Sequence, residues 1–253
     1  MFFTRKYKNK IKNIENMLIN LTNGAVSGDL NFNKKYDKFL LDNKLERMDA
    51  NRIDLFDIKR CDFHRDRYRL ACEYVENKNV LDIASGAGYG ADILYKLGRA
   101  KHVFGVELNQ EAVDYANAIY SSEYVEYKQG SILDIPFTDN TFDVLTSFET
   151  LEHIENEERQ MQEIKRVLKK DGLYILSTPN DWDNSNNKFH VRDYDYNSVK
   201  ELISKHFEII KMYNQNSGSN REENHNIPRK IELTNENNYK NAECFVIIAK
   251  NNK

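Results

Sequence analysis

The feature that most constrains the fold is one contiguous stretch, Asn79-Val80-Leu81-Asp82-Ile83-Ala84-Ser85-Gly86-Ala87-Gly88-Tyr89-Gly90. Residues 80–84 are an apolar run broken only by Asp82, which reads as a buried strand. A glycine-rich turn follows, and residues 91–97 (Ala-Asp-Ile-Leu-Tyr-Lys-Leu) read as a helix. Strand, glycine turn and helix together make a nucleotide-binding corner. Glycine lets the backbone turn sharply and approach a ligand with no Cβ in the way. The helix start offers N–H groups that have no partner within the helix. Gly86-x-Gly88-x-x-Ala91 also satisfies the dinucleotide fingerprint, whose third position can be Ala. The turn alone therefore admits a nicotinamide cofactor, another adenosine ligand, or a tight turn with no ligand at all.

The alternation continues downstream. Strands are expected over 102–106, 124–128, 142–147 and 173–178, with helices over 110–120, after the capping Asn109, and over 156–169. Alternating strands and helices call for an α/β, Rossmann-like, mostly parallel sheet with helices on both faces. Beyond Pro179, a short helix is expected over 198–205 and strands over 207–213 and 242–250. Two consecutive strands with no helix between them make this end of the sheet antiparallel. Residues 214–241 are polar and Asn-rich and read as a long loop or insertion.

Upstream, Ile11, Ile14, Leu18 and Leu21 recur at helical spacing among Lys and Asn. They suit an amphipathic helix packed on the domain or on a second copy of the chain, or a basic helix lying on a membrane surface. A second helix is expected over 34–48. Residues 1–60 are thus a helical N-terminal appendage to a domain over 61–253, and a homodimer through the N-terminal helices is one arrangement it allows.

Composition narrows the function. The formal net charge of −3 argues against a general nucleic-acid binder. No run approaches the roughly 18 apolar residues of a membrane span, and nothing behind Met1 resembles the apolar core of a secretory signal. The three cysteines, Cys61, Cys72 and Cys244, show no metal-type pairing and suit a reducing, cytoplasmic setting.

Glu107 lies at the tip of the second strand, 19 residues beyond Gly88. A carboxylate there can accept hydrogen bonds from both hydroxyls of an adenosine ribose. After the third strand come Gly130, Ser131 and Ile132, small and apolar groups able to lie against an adenine face, followed by Asp134. The fourth strand ends in Ser147-Phe148-Glu149-Thr150-Leu151-Glu152-His153-Ile154.

With these segments in place the chain resembles the class I S-adenosylmethionine-dependent methyltransferases, in particular the subgroup that methylates small molecules. The resemblance covers roughly residues 60–180. It rests on VLDIASGAGYG, FGVELN, QGSILDIPF, FDVLTSFETLEHI and RVLKKDGLYILSTPN, in that order and spacing. It implies a seven-stranded sheet with an antiparallel final strand. It implies that Asp82, Ala84, Ser85, Gly86 and Gly88 line the methionine end of the cofactor, and that Glu107 binds the ribose diol. Leu108, Ser131 and Ile132 would bracket the adenine, with the Phe148 backbone near the cofactor amine. Arg67 and Tyr68 look like an arm that covers the cofactor. Ser85 stands where many relatives carry Cys or Gly. A Phe189-His190-Val191 patch resembles relatives of capsule and lipopolysaccharide biosynthesis, which implies a sugar, sugar-nucleotide or phosphorylated glycan precursor as methyl acceptor.

Methyl transfer from a sulfonium needs a nucleophile aligned behind the methyl and, for a hydroxyl, a proton acceptor. His153 is the first candidate base, because it sits just past the fourth strand and imidazole titrates near neutrality. His190 and Glu149 are further candidates. If the turn after the fourth strand is helical, Glu149, Glu152 and His153 share one face and could hold a divalent cation, as a similar pattern does in ubiquinone-pathway O-methyltransferases. A metal-free site is the favoured alternative. Three functions stay in competition: a methyltransferase of glycan precursors or of a quinone-like metabolite, a nicotinamide-dependent oxidoreductase, and a catalytically silent cofactor-binding subunit.

Overall fold

The structure is a computed structural model, and it describes residues 30–44, 47–180, 189–218 and 228–253. The amphipathic segment around Ile11–Leu21 and the single Trp182 lie outside the described residues.

An N-terminal helix, α1 (Leu30–Asp42), precedes α2 (Ile58–Ala71). The sheet then begins. Strands β1 (Asn79–Ile83), β2 (His102–Glu107), β3 (Val125–Gln129), β4 (Phe142–Phe148) and β5 (Leu168–Pro179) are separated in part by α3 (Tyr89–Lys96), α4 (Gln110–Tyr120) and α5 (Glu157–Val167). Helix α6 (Tyr196–His206) leads to β6 (Glu208–Asn216), β7 (Lys230–Leu233) and β8 (Cys244–Lys250). The strands form one sheet in the order β3-β2-β1-β4-β5-β8-β6-β7. The pairs from β3 to β5 are parallel, and β8 inserts antiparallel between β5 and β6.

The antiparallel final strand agrees with the expected fold, but the sheet has eight strands rather than seven. The extra strand, β7, lies inside the segment read as a long loop. It is only four residues long, Lys-Ile-Glu-Leu, too short for its alternation to stand out, yet Tyr213 to Asn216 pair with Lys230 to Leu233. Strand β5 also begins earlier than expected. Helix α5 ends at Val167, and Leu168 already pairs with Phe142 across an irregular step in the ladder. Asp171 takes a positive φ there, just before Gly172 turns the chain.

Side-chain alternation in the central strands divides the core in two. Val80, Val103, Val125 and Val144 face one apolar cluster with α1 to α4. Leu81, Ile83, Leu145 and Leu176 face the other, with α5 and α6. Asp82 shares the Val80 side, where α2 passes, and it is almost fully buried. The helix starts are capped as their sequences suggest: Asn109 accepts from Ala112 N, Asn156 from Arg159 N, and Asp195 forms a reciprocal box with Ser198.

The N-terminal part is built into this core. Tyr36 and Phe39 of α1 pack on Tyr115 of α4, with ring centroids 5.1 and 5.8 Å apart. The carboxylate of Asp49, fully buried, accepts from the hydroxyls of Tyr115 (2.7 Å) and Tyr120 (2.6 Å). Among the described residues no helix is long and apolar enough to cross a membrane.

Candidate active site

The strand order reverses between β1 and β4, since β2 and β3 lie to one side and β5 to the other. Open α/β sheets bind ligands in the crevice outside the strand ends at such a switch point. Strands β1 and β4 end there at Ile83 and Phe148, and β2 ends beside β1 at Glu107.

The glycine turn follows β1 directly. Ala84, Gly86 and Gly88 all take positive φ (57°, 54° and 88°), a conformation a non-glycine residue adopts at some cost. The two glycines of this turn meet different demands. A Cβ added to Gly86 would meet nothing within 4 Å, so this glycine faces open space where a ligand can lie against the backbone. A Cβ on Gly88 would strike Ala116 Cβ at 2.6 Å and the Tyr127 ring at 2.9 Å, so this glycine lets α3 approach α4 and β3. The Tyr127 hydroxyl donates to Gly88 O at 2.7 Å and pins the turn.

Glu107, at the end of β2, reaches back to that turn. One carboxylate oxygen accepts from Gly86 N at 3.1 Å, the other from Asn109 N at 3.0 Å and from Arg47 Nε at 3.2 Å. Asp82 lies on the other side. Its Oδ1 accepts from Thr146 Oγ1 at 2.6 Å and its Oδ2 from the Tyr68 hydroxyl at 3.2 Å. Burial pushes its carboxyl up to about 7, with the charge of Glu107 adding to the rise and the two hydroxyl bonds opposing it. Two acids and an open glycine between them form a crevice suited to a ligand with a diol at one end and a cation at the other. Leu108 is two-thirds exposed at its mouth. Ser131 is half-buried, and its Oγ accepts from Leu133 N, while Ile132 is buried in the α5-side cluster. Ser85 is buried, with its Oγ 3.0 Å from where a Cβ on Gly105 would stand, so the hydroxyl faces β2.

Arg67 and Tyr68, both on α2, are buried. Tyr68 fits against Gly90, where a Cβ would lie 1.9 Å from its ring, and packs edge-on to Phe148 with centroids 4.7 Å apart. Its phenol is held well above its ordinary pKa by burial and by Asp82, so it stays a donor. Arg67 donates from Nε to Gln215 Oε1 at 2.6 Å and lies 3.4 Å from Glu149 Oε1.

The turn after β4 also departs from expectation. It is not an α-helical turn: Glu149 has φ +50°, and Leu151–His153 form a 3-10 turn. Glu149 is therefore not among the groups that converge with Glu152 and His153. The Glu149 backbone N–H is held by Ser177 O (3.1 Å) and Ser177 Oγ (3.0 Å), while its carboxylate accepts from Ser177 Oγ at 3.2 Å and Cys244 Sγ at 3.4 Å. Glu152 is buried, and Thr178 Oγ1 donates to its Oε2 at 3.1 Å. Burial raises its pKa well above the carboxylate range, and the charge of Glu149 raises it further.

His190, from the segment before α6, joins Glu152 and His153 instead. Donor atoms of Glu152, His153 and His190 all lie within 4.8 Å of one another, and the two imidazoles are 4.9 Å apart, edge to face. His153 Nδ1 is 2.9 Å from Phe189 O. A carbonyl only accepts, so Nδ1 carries the proton and Nε2 is the basic nitrogen. His190 Nδ1 lies 3.5 Å from Asp193 Oδ1.

The structure thus brings Glu107 against the glycine turn that follows β1 and Asp82, and sets His153 beside His190 after β4. Sequence reasoning missed Thr146, Arg47 and Gln215. Thr146 alone had a usable signal, as a polar residue inside a central apolar strand. Arg47 and Gln215 come from segments read as appendage and loop.

Comparison with known proteins agrees with this geometry. Residues 81–176 match the family model described as a methyltransferase domain. Over 146 residues the chain is 28% identical to a protein of Mycolicibacterium smegmatis named as a probable S-adenosylmethionine-dependent methyltransferase, covering 55% of each chain. It is 34% identical over 112 residues to the ubiquinone biosynthesis O-methyltransferase of Actinobacillus pleuropneumoniae, covering 41% of this chain and 46% of that one. The chain thus spans about half the length of the curated relatives it matches. Among solved structures, an S-adenosylmethionine-dependent methyltransferase of Thermotoga maritima superposes with a TM-score of 0.57 at 19% identity, covering 75% of this chain and 91% of that one. That likeness speaks for the fold alone.

Proposed function

We propose that this chain is an S-adenosylmethionine-dependent methyltransferase that methylates a hydroxyl or amine of a small molecule. The observation that carries the reading is the open Gly86 backbone between Glu107 and Asp82. Glu107 is a carboxylate acceptor of the kind a ribose diol requires, and Asp82 offers a buried carboxyl to a cationic amino-acid end. Bound in this crevice, S-adenosylmethionine supplies an electrophilic methyl carbon.

The chain's own part is positioning and proton removal. Tyr68, Thr146 and the glycine turn fix the crevice walls, so the ligand is held with little loss of freedom left for the reaction step. His153 Nε2 takes the acceptor's proton, because Phe189 O holds the other nitrogen protonated. His190 stands beside it as a second contact for the acceptor. Glu149, tied to Ser177 and Cys244, supports the β4 tip instead of acting as base.

The acceptor we favour is a sugar, sugar nucleotide or phosphorylated glycan precursor, handled in the cytoplasm. Phe189 and Val191 support it, being more than 40% exposed beside His190. An apolar platform beside imidazoles suits a sugar ring with polar edges. A quinone-like acceptor is the second reading, and one observation favours it. Glu152, His153 and His190 converge, and the buried Glu152 Oε1 has no hydrogen-bond partner among the described residues. Those three groups could hold a divalent cation, which would make an adjacent acceptor hydroxyl more acidic.

Calorimetric titration with S-adenosylmethionine and, separately, with NAD tests the cofactor. Release of S-adenosylhomocysteine with a panel of sugar nucleotides and catechols, with and without chelator, tests the acceptor. Binding of S-adenosylmethionine without release in any mixture would favour a silent cofactor-binding subunit.

A further inference from the structure

We infer that Arg47 is a built-in competitor for the ribose site, which must leave Glu107 before a nucleoside can bind there. The inference rests on the cofactor reading given above. Its ground is a count of hydrogen bonds. A carboxylate has about four acceptor positions. On Glu107 three are taken, by Gly86 N, Asn109 N and Arg47 Nε. A ribose diol donates two more bonds, which makes five. The two backbone donors belong to the turn and to the start of α4, and they cannot withdraw without unmaking both. Arg47 is the donor free to move, since its side chain is about one-quarter exposed while that of Glu107 is 8% exposed.

The position of Arg47 is set, not accidental. Residues 48–50, immediately after it, are buried. Asp49 is clamped by Tyr115 and Tyr120 and accepts from Asn51 N at 2.8 Å. Tyr115 and Tyr120 lie on α4, which starts three residues past Glu107. The base of Arg47 is thus fixed to the helix that begins beside the ribose site, and its side chain alone spans the remaining distance. In the ligand-free chain Arg47 neutralises Glu107, which otherwise sits next to a second buried acid, Asp82. On binding, the guanidinium swings to the exposed mouth near Leu108, and the diol takes its place.

The test is calorimetric titration of S-adenosylhomocysteine into the full chain and into its Arg47→Met and Arg47→Lys variants. Methionine keeps the apolar stem but cannot donate. Arg47→Met is expected to bind about two- to fivefold more tightly than the parent, the range of a partly exposed ion pair. Arg47→Lys, which keeps the charge, is expected to stay near the parent. The advantage of Arg47→Met should shrink as salt rises, because salt screens the pair it removes. Equal or weaker binding by Arg47→Met, in a variant whose thermal melt matches the parent, would overturn the inference and make Arg47 a neutral or supporting contact. Failure of the parent itself to bind S-adenosylhomocysteine would instead overturn the cofactor reading, so the two failures are told apart.

Discussion

On the reading proposed above, the site has a cofactor half and an acceptor half, and the two are built in opposite ways. The cofactor half comes from short contiguous pieces, each a strand end plus the turn after it: Asp82 to Gly88, Glu107 to Asn109, and Thr146 to Phe148. Backbone geometry does most of the holding there, through positive-φ residues and N–H donors. The acceptor half is assembled from distant segments. His153 follows β4, and Phe189 and His190 precede α6. Side chains do most of the holding. One half can therefore keep its ligand while the other is rebuilt, which suits a fold that serves many acceptors with one donor.

That contrast predicts that the two halves fail separately. The largest effect is expected for His153→Ala. Loss of a positioned base costs about a hundredfold or more in turnover, while affinity for S-adenosylhomocysteine stays within twofold of the parent. Single-turnover release and calorimetry on the same preparation check both. Full turnover in His153→Ala would move the base to His190, and lost cofactor binding would erase the division between halves. Glu107→Ala should do the converse. Two charge-assisted hydrogen bonds are worth about 3 kcal/mol, or roughly a hundredfold in affinity. Turnover at saturating cofactor, where it can be reached, should fall far less.

The same contrast explains what could be read from the sequence. Residues that act through local backbone, such as Gly86, Gly88 and Glu107, carry their spacing in the chain, and the parallel half of the sheet followed from it. Asn109 announces its helix start by residue type, whereas the cap at Asp195 went unread and that helix was expected to begin only at residue 198. Residues that act through tertiary contact announce nothing. The expectation that Glu149 shares a face with Glu152 failed because Ser177 holds the β4 tip in a positive-φ turn, and Ser177 is distant in sequence. Strand β7 was hidden because an edge strand buries little and needs no strong apolar pattern. The burial of Arg67 was hidden too, since it depends on Gln215, a partner from the far end of the chain.

A third substitution sharpens the comparison by attacking the support between the halves. Gly90→Ala places a methyl 1.9 Å from the Tyr68 ring, whose hydroxyl holds Asp82 and whose edge packs on Phe148. Overpacking of this kind costs about 1–3 kcal/mol, read as a lower denaturation midpoint. The displaced ring should loosen both halves at once, weakening cofactor binding and turnover together. A destabilised variant with normal binding would show that Tyr68 is scaffolding for the core and contributes nothing to the crevice.

The smallest expected effect concerns Asp82. Its carboxyl sits at about 7 in the folded chain, against an ordinary 3.8, chiefly because it is buried. Between those values the folded chain holds a proton that the unfolded chain has lost. The stability this contributes is complete below about pH 4 and disappears as pH rises through about 7. Asp82→Asn should therefore flatten that stretch of the stability profile. A cationic ligand end beside Asp82 favours the carboxylate and lowers its pKa. Binding near pH 7 should then release about half a proton, more near pH 6 and almost none at pH 9. Titrations in phosphate and in Tris report this directly, because the apparent enthalpy changes with the buffer's heat of ionisation in proportion to the protons released. Asp82→Asn should remove the dependence. If the parent shows none, Asp82 does not meet the cation, and the cofactor half is defined by Glu107 and the glycine turn alone.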